Sequence, residues 1–491
     1  MIFIIAAMGV VLIACDDYDT FTTDRSSTLT FSSDTVRFDT LLTTVPSSTK
    51  TLAVYNHGDR GLRINEVRLE AGASSPFRIN IDGQDMSRTV DNRATDFEVR
   101  RRDSIIVRIE VTVPEQVDDS IAQIEDVLHF TLESGVQQKV TLVVSGRNAY
   151  FLQACTLTAD TTFTAGRPIV VYDSLVVAPN TTLTLDAGTQ LLFHEKAGMV
   201  VHGTLIANGT LEAPVILRGD RTDHMFDYLP YDRLPSRWEG LTFTRESHDN
   251  QLTYLDLHSG LYGIRCDSTG IDPLKLQLLN ARIHNLGGNG LELNHCRAEV
   301  ANTEISNTLG HCAYVNGGDA RFTHCTLAQF YPLSANRGNA IQISNQDSLG
   351  YFPLYRADFI NCVATGYADD VVMMPSLSRE DMPSDMADVP INYQFVHCFL
   401  TTVVPEDELY TARFIDCQID TLEADINREK HFQLFDSHNF LYDFTPVEAS
   451  AIRGIADSTY TRPYPLDRLG RSRKNDDAPD AGCYEFLPPS Q

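Results

Sequence analysis

A short pattern of apolar and polar positions recurs through the second half of the chain. Each copy begins and ends with an apolar residue, has Asn, His or Asp at its third position, and in four copies has Cys at its fourth. Apolar residues at alternate positions are typical of β-strands. The copies occupy residues 278–283, 300–305, 322–327, 359–364, 395–400 and 414–419.

The spacing of these copies indicates stacked structural units. The first three copies begin 22 residues apart, and the later gaps are 37, 36 and 19 residues. A fixed period in this range is the signature of a solenoid, and 22 residues leave no room for a helix beside several short strands. We therefore predict one copy in each coil of a parallel β-helix, with a loop of about 15 residues inserted at a corner in each long gap.

A related pattern lies upstream and extends the predicted solenoid toward residue 149. Val177 and Val201 occupy matching positions 24 residues apart, and Gly188 and Gly209 are 21 residues apart. Both spacings equal the length of one coil. The Gly-Thr pairs suit tight corners, where a positive φ is required.

Residues 31–148 carry a different pattern of short alternating runs separated by turn residues. About seven such strands within roughly 115 residues favour an antiparallel sandwich. The motifs Val54–Gly58, Leu128–Phe130 and Val140–Gly146 resemble those of immunoglobulin-like modules of the ASH/MSP type. That resemblance implies a spacer or adhesion module without catalytic residues.

The second part of the chain resembles the right-handed parallel β-helix proteins exported by Bacteroidetes. The resemblance reaches from about residue 150 to the C-terminus. It is strongest at Asp467–Arg473 and Pro479–Phe486, which are similar to the "Asp-x-x-Gly-x-x-Arg … Asp-Ile-Gly-Ala-Tyr-Glu" ending of such proteins. The resemblance implies that residues 431–491 cap the open end of the solenoid, with Asp480, Gly482, Tyr484 and Glu485 as capping residues.

The N-terminus is predicted to direct export and lipid attachment. Residues 1–14 are apolar and too short to span a bilayer, as in a signal peptide. Leu12–Cys15 resembles the bacterial lipobox, in which the Cys becomes the lipidated first residue. Asp16, Asp17 and Asp19 follow and resemble the surface-export signal of Bacteroidetes lipoproteins. An acidic linker without a sorting role is the alternative.

Charge and composition exclude some partners. The 491 residues include 39 basic and 66 acidic side chains, for a net charge of −27. This balance argues against binding to nucleic acid or to a bare anionic membrane. No second apolar stretch is long enough to span a bilayer. The partners that we predict are outer-membrane lipid, through the lipidated Cys15, and a polysaccharide.

The cysteines of the repeat suggest metal or redox chemistry, but their shared register favours stacking. Cys325, Cys362, Cys398 and Cys417 would lie above one another at about 4.8 Å, as an internal ladder of buried thiols. Disulfide pairing is an alternative, although stacked parallel side chains do not readily give disulfide geometry. Zinc binding by His-Cys pairs is another, although adjacent strand residues point to opposite faces. We predict no metal site and no cofactor.

Binding residues are sought in the inserted segments, because loops on one side of a solenoid commonly carry function. Aromatic rings near exposed acidic groups could stack on sugar faces, or could instead pack the loops against the solenoid. The candidates lie in or beside residues 220–237 and in the insert near 331–357; they are Tyr228, Tyr231, Trp238, Tyr351 and Tyr355.

Catalysis is the alternative function. Parallel β-helix lyases use acidic residues to hold Ca²⁺ and an Arg or Lys as base, but no spacing here matches a lyase signature. Glycosidase chemistry needs two carboxylates about 5–9 Å apart, and the sequence cannot select a pair. The positions considered are Arg337, Asp347, Arg356 and Asp369-Asp370.

The sequence thus predicts an all-β protein, an N-terminal β-sandwich followed by a right-handed parallel β-helix. The expected function is non-catalytic binding of glycan or another surface component by a lipoprotein of the outer membrane that faces the cell surface. A polysaccharide lyase or glycoside hydrolase and a structural or adhesive stalk are the alternatives. The predicted segments are 1–14 (signal peptide), 15–30 (tether), 31–148 (immunoglobulin-like sandwich), 149–430 (β-helix) and 431–491 (cap).

Overall fold

The computed structural model of the chain describes residues 20–226, 228–348, 350–377, 388–420, 428–474 and 478–488. These residues fall into two compact units, which divide between Asn148 and Ala149. The predicted signal peptide and Cys15 lie outside the described residues. Within the described ranges, no helix is long and apolar enough to cross a membrane.

The first unit consists of ten strands and three 3-10 turns. The strands are β1 (Thr30–Phe31), β2 (Thr35–Leu42), β3 (Lys50–Asn56), β4 (Leu62–Leu69), β5 (Phe77–Ile81), β6 (Gln84–Asp85), β7 (Arg93–Val99), β8 (Asp103–Val111), β9 (Ala122–Leu132) and β10 (Gln137–Arg147). The 3-10 turns are Gly72–Ser74, Met86–Arg88 and Val90–Asn92.

These strands form two five-stranded sheets around one core. One sheet has the order β1-β3-β8-β5-β6 and the other β2-β10-β9-β4-β7. Alternate residues of each strand face inward; in β8 the buried side chains include Val107, Ile109 and Val111. Both sheets contribute to a single apolar cluster, which is the arrangement of a β-sandwich.

The segment predicted as a tether differs from expectation after residue 19. The backbone N–H of Thr22 donates to Gly61 O at 3.0 Å, and the N–H of Gly61 donates to Thr20 O at 2.8 Å. Leu29 is buried in the sandwich core. Residues 20–30 therefore pack against the sandwich, because Leu29 and the backbone groups at their start find partners there.

The described residues of the second unit form 34 strands and two short helices. In order along the chain they are β11 (Tyr150–Leu157), β12 (Thr161–Phe163), β13 (Ile169–Val177), β14 (Thr182–Asp186), β15 (Gln190–Phe193), β16 (Gly198–Val201), β17 (Thr204–Asn208), β18 (Val215–Gly219), β19 (His224–Phe226), β20 (Leu229–Pro230), β21 (Leu241–Phe243), β22 (Asn250–Thr253), β23 (Leu255–His258), β24 (Ile264–Cys266), β25 (Gly270–Leu279), β26 (Arg282–Leu286), β27 (Leu291–Asn294), β28 (Cys296–Ala301), β29 (Glu304–Thr308), β30 (Ala313–Asn316), β31 (Gly318–Thr323), β32 (Thr326–Gln329), β33 (Ile341–Ser344), β34 (Gln346–Asp347), β35 (Gly350–Tyr351), β36 (Leu354–Ile360), β37 (Val363–Gly366), β38 (Val372–Met373), β39 (Gln394–Val396), β40 (Phe399–Leu400), α1 (Glu408–Thr411), β41 (Phe414–Ile415), β42 (Gln418–Ile419), β43 (Phe432–Asp436), β44 (Leu441–Pro446) and α2 (Ser458–Thr461), with 3-10 turns at Tyr231–Arg233 and Arg428–His431.

Most of these strands stack in three parallel ladders. The first ladder is β12-β14-β17-β22-β25-β28-β31-β36-β39-β41. The second starts at β13 and continues through β15, β18, β23, β26, β29, β32, β37, β40 and β42. The third also starts at β13 and continues through β16, β21, β24, β27, β30, β33 and β38.

The chain visits the ladders in a fixed order, and this order positions every loop. Successive strands such as β27, β28 and β29 belong to the third, first and second ladders in turn. Inward side chains of all three ladders share one apolar cluster. Like residues stack within it, as the rings of Phe322 and Phe359 do at 4.6 Å between centroids. The long parallel sheets fit a β-helix.

One column of turns joins the first ladder to the second. The polar residue at the third position of every repeat lies there with φ between 48° and 55°. This left-handed conformation is accessible to Asn, Asp and His at the lowest strain after Gly. The turn column, as we call it, comprises Asn280, Asn302, His324, Asn361, His397 and Asp416.

The C-terminal segment follows the turn column. Asn361 Nδ2 donates to Asp457 O at 3.0 Å, and the Asp457 N–H donates back to Asn361 Oδ1 at 2.9 Å. Arg473 Nη2 donates to Asn302 Oδ1 at 3.0 Å, and Arg468 Nε donates to Ala281 O at 3.2 Å. Residues 455–474 and 478–486 therefore run along the side of the stacked strands. Their path differs from that of a cap over an open end, because their hydrogen bonds reach successive members of the turn column.

Asn361 offers a direct test of the turn column. Replacing it with Ala is expected to lower the free energy of unfolding by about 2–4 kcal/mol, since left-handed strain adds to the loss of buried hydrogen bonds. Asn361→Gly removes the hydrogen bonds without the strain and should cost less. Asn280→Ala is the matched control, because Asn280 shares the conformation while its Oδ1 accepts no hydrogen bond. Urea unfolding that ranked Asn280→Ala as the most damaging variant would contradict this account.

His324 makes the stability depend on pH. Burial, aided by the nearby Arg473, holds the pKa of His324 well below its usual value. As the pH falls below about 6.5, His324 becomes protonated in the unfolded chain but stays neutral in the folded chain. The free energy of unfolding therefore decreases. His324→Asn keeps a residue type that the turn column already uses. The free energy of unfolding differs between pH 7.5 and pH 5, and this difference should be about 2 kcal/mol smaller in His324→Asn than in the wild-type protein.

Urea unfolding of both proteins at several pH values measures this difference. His284, whose pKa is also lowered, contributes with the same sign, so the variant should retain part of the pH dependence. Equal pH dependence in the two proteins would show that His324 is not held neutral.

Candidate functional site

The inserted segments lie at two different corners. Residues 220–240 and 330–340 both join the second ladder to the third. Residues 345–353 and 374–393 instead join the third ladder to the first, and 378–387 of the latter lie outside the described residues. The aromatic residues predicted to bind glycan are therefore divided between two corners.

A largely apolar cleft of about 680 Å³ lies at the first of these corners. We call it the aromatic cleft. Residues from three separate parts of the chain form it: the 220–240 segment, the 330–340 segment and the turn between β43 and β44. The lining residues are Met225, Phe226, Tyr228, Leu229, Leu234, Pro235, Arg237, Pro332, Leu333, Ser437, His438 and Phe440.

Stacked rings line the aromatic cleft. Tyr228 lies between Phe226, at 5.7 Å between ring centroids, and His438, at 4.4 Å. Phe226 and Tyr228 remain 51% and 46% exposed. Exposed rings with a few polar groups at their edges are typical of sites that bind amphipathic ligands. Arg237 and Ser437 supply such groups here.

Tyr231 and Trp238 are less available to a ligand than the sequence suggests. The guanidinium of Arg221 covers the ring of Tyr231 at 3.8 Å from its centroid. Trp238 is 2% exposed, stacks on Phe193 at 4.3 Å, and donates its Nε1–H to His258 O at 2.8 Å. Trp238 thus belongs to the core, because it lies just before a strand whose inward residues stack on the preceding coil.

Tyr351 and Tyr355 lie at the other corner. Tyr351 is partly buried and lines a smaller cleft of about 340 Å³ together with Gln342, Asn345 and Ile391, among others. Tyr355 is exposed at the start of β36. Of the five candidates, Tyr228 is the one that lines the aromatic cleft.

Sequence reasoning missed the other wall of the aromatic cleft. His438 and Phe440 come from the C-terminal segment, and Pro332 and Leu333 from the 330–340 segment. Aromatic residues become frequent after residue 430, and this is the sequence signal that could have pointed to the second wall of the cleft. Tyr228 and His438 are about 210 residues apart in the sequence, so no local pattern reveals their contact.

The cysteine ladder is a structural feature, as the shared register predicts. Cys325, Cys362 and Cys398 are buried, and all nine cysteines among the described residues are free thiols. The N–H of Cys325 donates to Cys362 Sγ at 3.4 Å, and the N–H of Cys362 donates to Cys398 Sγ at 3.3 Å. Burial raises the pKa of the Cys362 and Cys398 thiols well above the usual value. Such thiols are unreactive.

A second polar cluster was not predicted from the sequence. Asp256 and His258 lie two residues apart on β23, and His284 lies across from His258 on β26. His258 Nδ1 is 2.7 Å from Asp256 Oδ1, and His284 Nε2 is 3.3 Å from the same oxygen. Within the described part of the chain, this is the one group of three with metal-ligand spacing.

The pKa values of Asp256 and His284 in this cluster differ from their usual values. Burial would raise the pKa of Asp256, but His258 and His284 beside it hold that pKa well below its usual value. Burial and the charge of Arg282 lower the pKa of His284 to about 4. At neutral pH the cluster therefore combines a carboxylate with a neutral His284.

The acidic and basic residues that are candidates for lyase chemistry each contact neighbouring side chains. Arg356 pairs with Asp319 at 2.5 Å and with Glu299 at 3.3 Å. Asp369 pairs with Arg428 at 3.0 Å, and Asp370 accepts a hydrogen bond from Thr402. Arg337 stacks on Tyr367, and Asp347 accepts from Asn316. These contacts tie the candidates to different neighbours and form no shared catalytic centre among them.

No protein-family model and no curated protein matches the chain. Among solved structures, an ASH/PapD-like domain of human CEP192 is 16% identical, with 29% of this chain and 97% of that domain aligned and a TM-score of 0.17. The E. coli chaperone DraB (16% identity, 25% and 55% coverage) and a protein of unknown function from Porphyromonas gingivalis W83 (16%, 27% and 60%) have the same TM-score. At this level of similarity these neighbours carry no argument about the fold or the function of the chain.

Proposed function

We propose that the chain is a lipoprotein of the outer membrane that faces the cell surface and binds glycan without cleaving it. The aromatic cleft is the observation that carries this proposal. The rings of Phe226 and Tyr228 are exposed, Tyr228 stacks on Phe226 and on His438, and the lining residues come from three parts of the chain.

The chemistry of the aromatic cleft suits a saccharide. A sugar ring has C–H groups on its faces and hydroxyls around its edge, so it packs against aromatic faces while hydrogen-bonding sideways. The exposed rings of Phe226 and Tyr228 supply such faces. Arg237, Ser437 and His438 supply donors and acceptors at the margin. A volume of about 680 Å³ is within the range of small-ligand sites.

The architecture behind the cleft is proposed to be a right-handed parallel β-helix. Three parallel ladders visited in a fixed order support this winding. A connection between parallel strands of one sheet is right-handed in about 98% of cases. The coils would act as a rigid scaffold, and the inserted segments would carry the ligand site.

The anchor is proposed from the sequence alone. Leu12–Cys15 resembles a lipobox, and the acidic residues Asp16, Asp17 and Asp19 resemble a surface-export signal. The immunoglobulin-like unit would then serve as a spacer between the lipid and the second unit.

Binding to a panel of acidic and neutral polysaccharides tests the proposed function. Tyr228→Ala is expected to weaken the affinity for a retained polysaccharide about tenfold or more, equivalent to about 1.4 kcal/mol. Tyr228→Phe should bind normally because it keeps the ring. Tyr355→Ala is the matched control, since Tyr355 is equally exposed but lies outside the aromatic cleft. Calorimetry or affinity electrophoresis measures the change.

The same panel separates the alternatives. New reducing ends or unsaturated products would overturn the non-catalytic reading in favour of a hydrolase or lyase. Equal loss of affinity in Tyr228→Ala and Tyr355→Ala would exclude the aromatic cleft as the site. Failure to retain any polysaccharide would favour a structural or adhesive stalk.

Lipid attachment has a separate test. In the native host, Cys15→Ala should move the protein from the membrane fraction to the soluble fraction, because position 15 then has no thiol to accept lipid. Cys155→Ala, at a partly exposed cysteine of the second unit, should leave the protein in the membrane fraction. Membrane retention of the Cys15→Ala protein would contradict the proposed anchor.

A further inference from the structure

We propose that Asp256, His258 and His284 form a binding site for a single first-row transition-metal ion, with Zn²⁺ as the reference ion. This site is separate from the aromatic cleft and shares none of its lining residues. The proposal goes beyond glycan binding and does not depend on it.

The spacing of the three side chains fits a common coordination sphere. Their ligand atoms all lie within 4.8 Å of one another, and Asp256 Oδ1 is 2.7 Å and 3.3 Å from the nearest nitrogens of His258 and His284. A tetrahedral ion with ligands at about 2.0–2.1 Å holds neighbouring ligand atoms about 3.3 Å apart. Small side-chain rotations therefore suffice to admit the ion.

The chemistry of the donors selects the class of ion. Two imidazoles and one carboxylate suit Zn²⁺, Co²⁺, Ni²⁺ or Cu²⁺, whereas Ca²⁺ and Mg²⁺ require oxygen ligands. Three protein ligands leave a coordination position for water. The three side chains are 12% to 22% exposed, so an ion can reach them while most of the surrounding solvent is excluded.

The strands hold the site in position. Asp256 and His258 project from the same face of β23, and the parallel register places His284 beside His258. The two imidazole rings stack at 4.8 Å between centroids. Trp238 donates a hydrogen bond to the backbone carbonyl of His258, which fixes the strand behind the ligand. Sites built on strands are held more rigidly than sites on loops.

The charges around the site are balanced. Arg282 lies across from Asp256 in the register but pairs with Glu304 at 3.1 Å. Arg218, on the neighbouring β18, pairs with Asp232 at 3.1 Å. Each guanidinium thus has a carboxylate partner other than Asp256, although the charge of Arg282 also acts on Asp256 and His284.

Cobalt titration of the full chain tests the site. The protein stripped of metal by a chelator should bind one Co²⁺ per chain, with visible d–d absorption, and Zn²⁺ should displace the cobalt. His284→Gln and Asp256→Asn should each weaken binding at least tenfold. The matched control is His194→Gln, because His194 pairs with Asp220 at 2.7 Å and is not part of the three-residue cluster. Circular dichroism and thermal unfolding show that each variant is folded.

Three outcomes would overturn the proposal. The first is a failure of the folded wild-type protein to bind Co²⁺ or Zn²⁺ stoichiometrically at micromolar concentration. The second is binding that His284→Gln and His194→Gln weaken equally. The third is a thiolate-to-cobalt charge-transfer band, which would assign the ion to cysteines. A loss of glycan binding in Tyr228→Ala would not change any of these measurements.

Discussion

The structure of the second unit depends on the turns that join the first ladder to the second. Each turn redirects the chain from the first ladder to the second at a residue that adopts a positive φ. Asn, His and Asp meet this requirement and also bring a hydrogen-bonding side chain, which Gly lacks. Asn302, His324 and Asn361 therefore both form the corner and contact the C-terminal segment. The need for a positive φ and for a hydrogen-bonding side chain explains why the repeat is most regular at its third position.

The turn also fixes the register of the strands on either side of it. A shift of one residue would move every inward side chain to the outer face. With the turn in place, the cysteine that follows it points inward in successive coils, as Cys325, Cys362 and Cys398 do. The His-Cys pairs that suggest metal chemistry in the sequence are thus divided between the cysteine ladder and the contact with the C-terminal segment. His324, for example, lies 2.9 Å from Thr461 of that segment.

Local patterns predicted the strands and the 22-residue spacing between paired strands, because these features depend on residues close together in the sequence. They did not predict the path of the C-terminal segment, whose hydrogen bonds join residues as distant as Asn361 and Asp457. The aromatic cleft shows the same division. The 220–237 segment was identified, whereas His438 was not. Trp238 was a candidate for glycan binding, but it is buried and stacks on Phe193 of an earlier strand. The cluster of Asp256, His258 and His284 was missed because no repeat spacing marks it.

Scaffold and proposed function belong to different parts of the chain: stacked strands hold the inserted segments, and we propose that Tyr228 and His438 contact the ligand. The most direct test is a crystal structure of the protein with an oligosaccharide derived from a polysaccharide that it retains. The account predicts a sugar ring packed on Tyr228, with its hydroxyls near Ser437 and His438. A saccharide bound along the outward face of the first ladder, with the aromatic cleft empty, would contradict it.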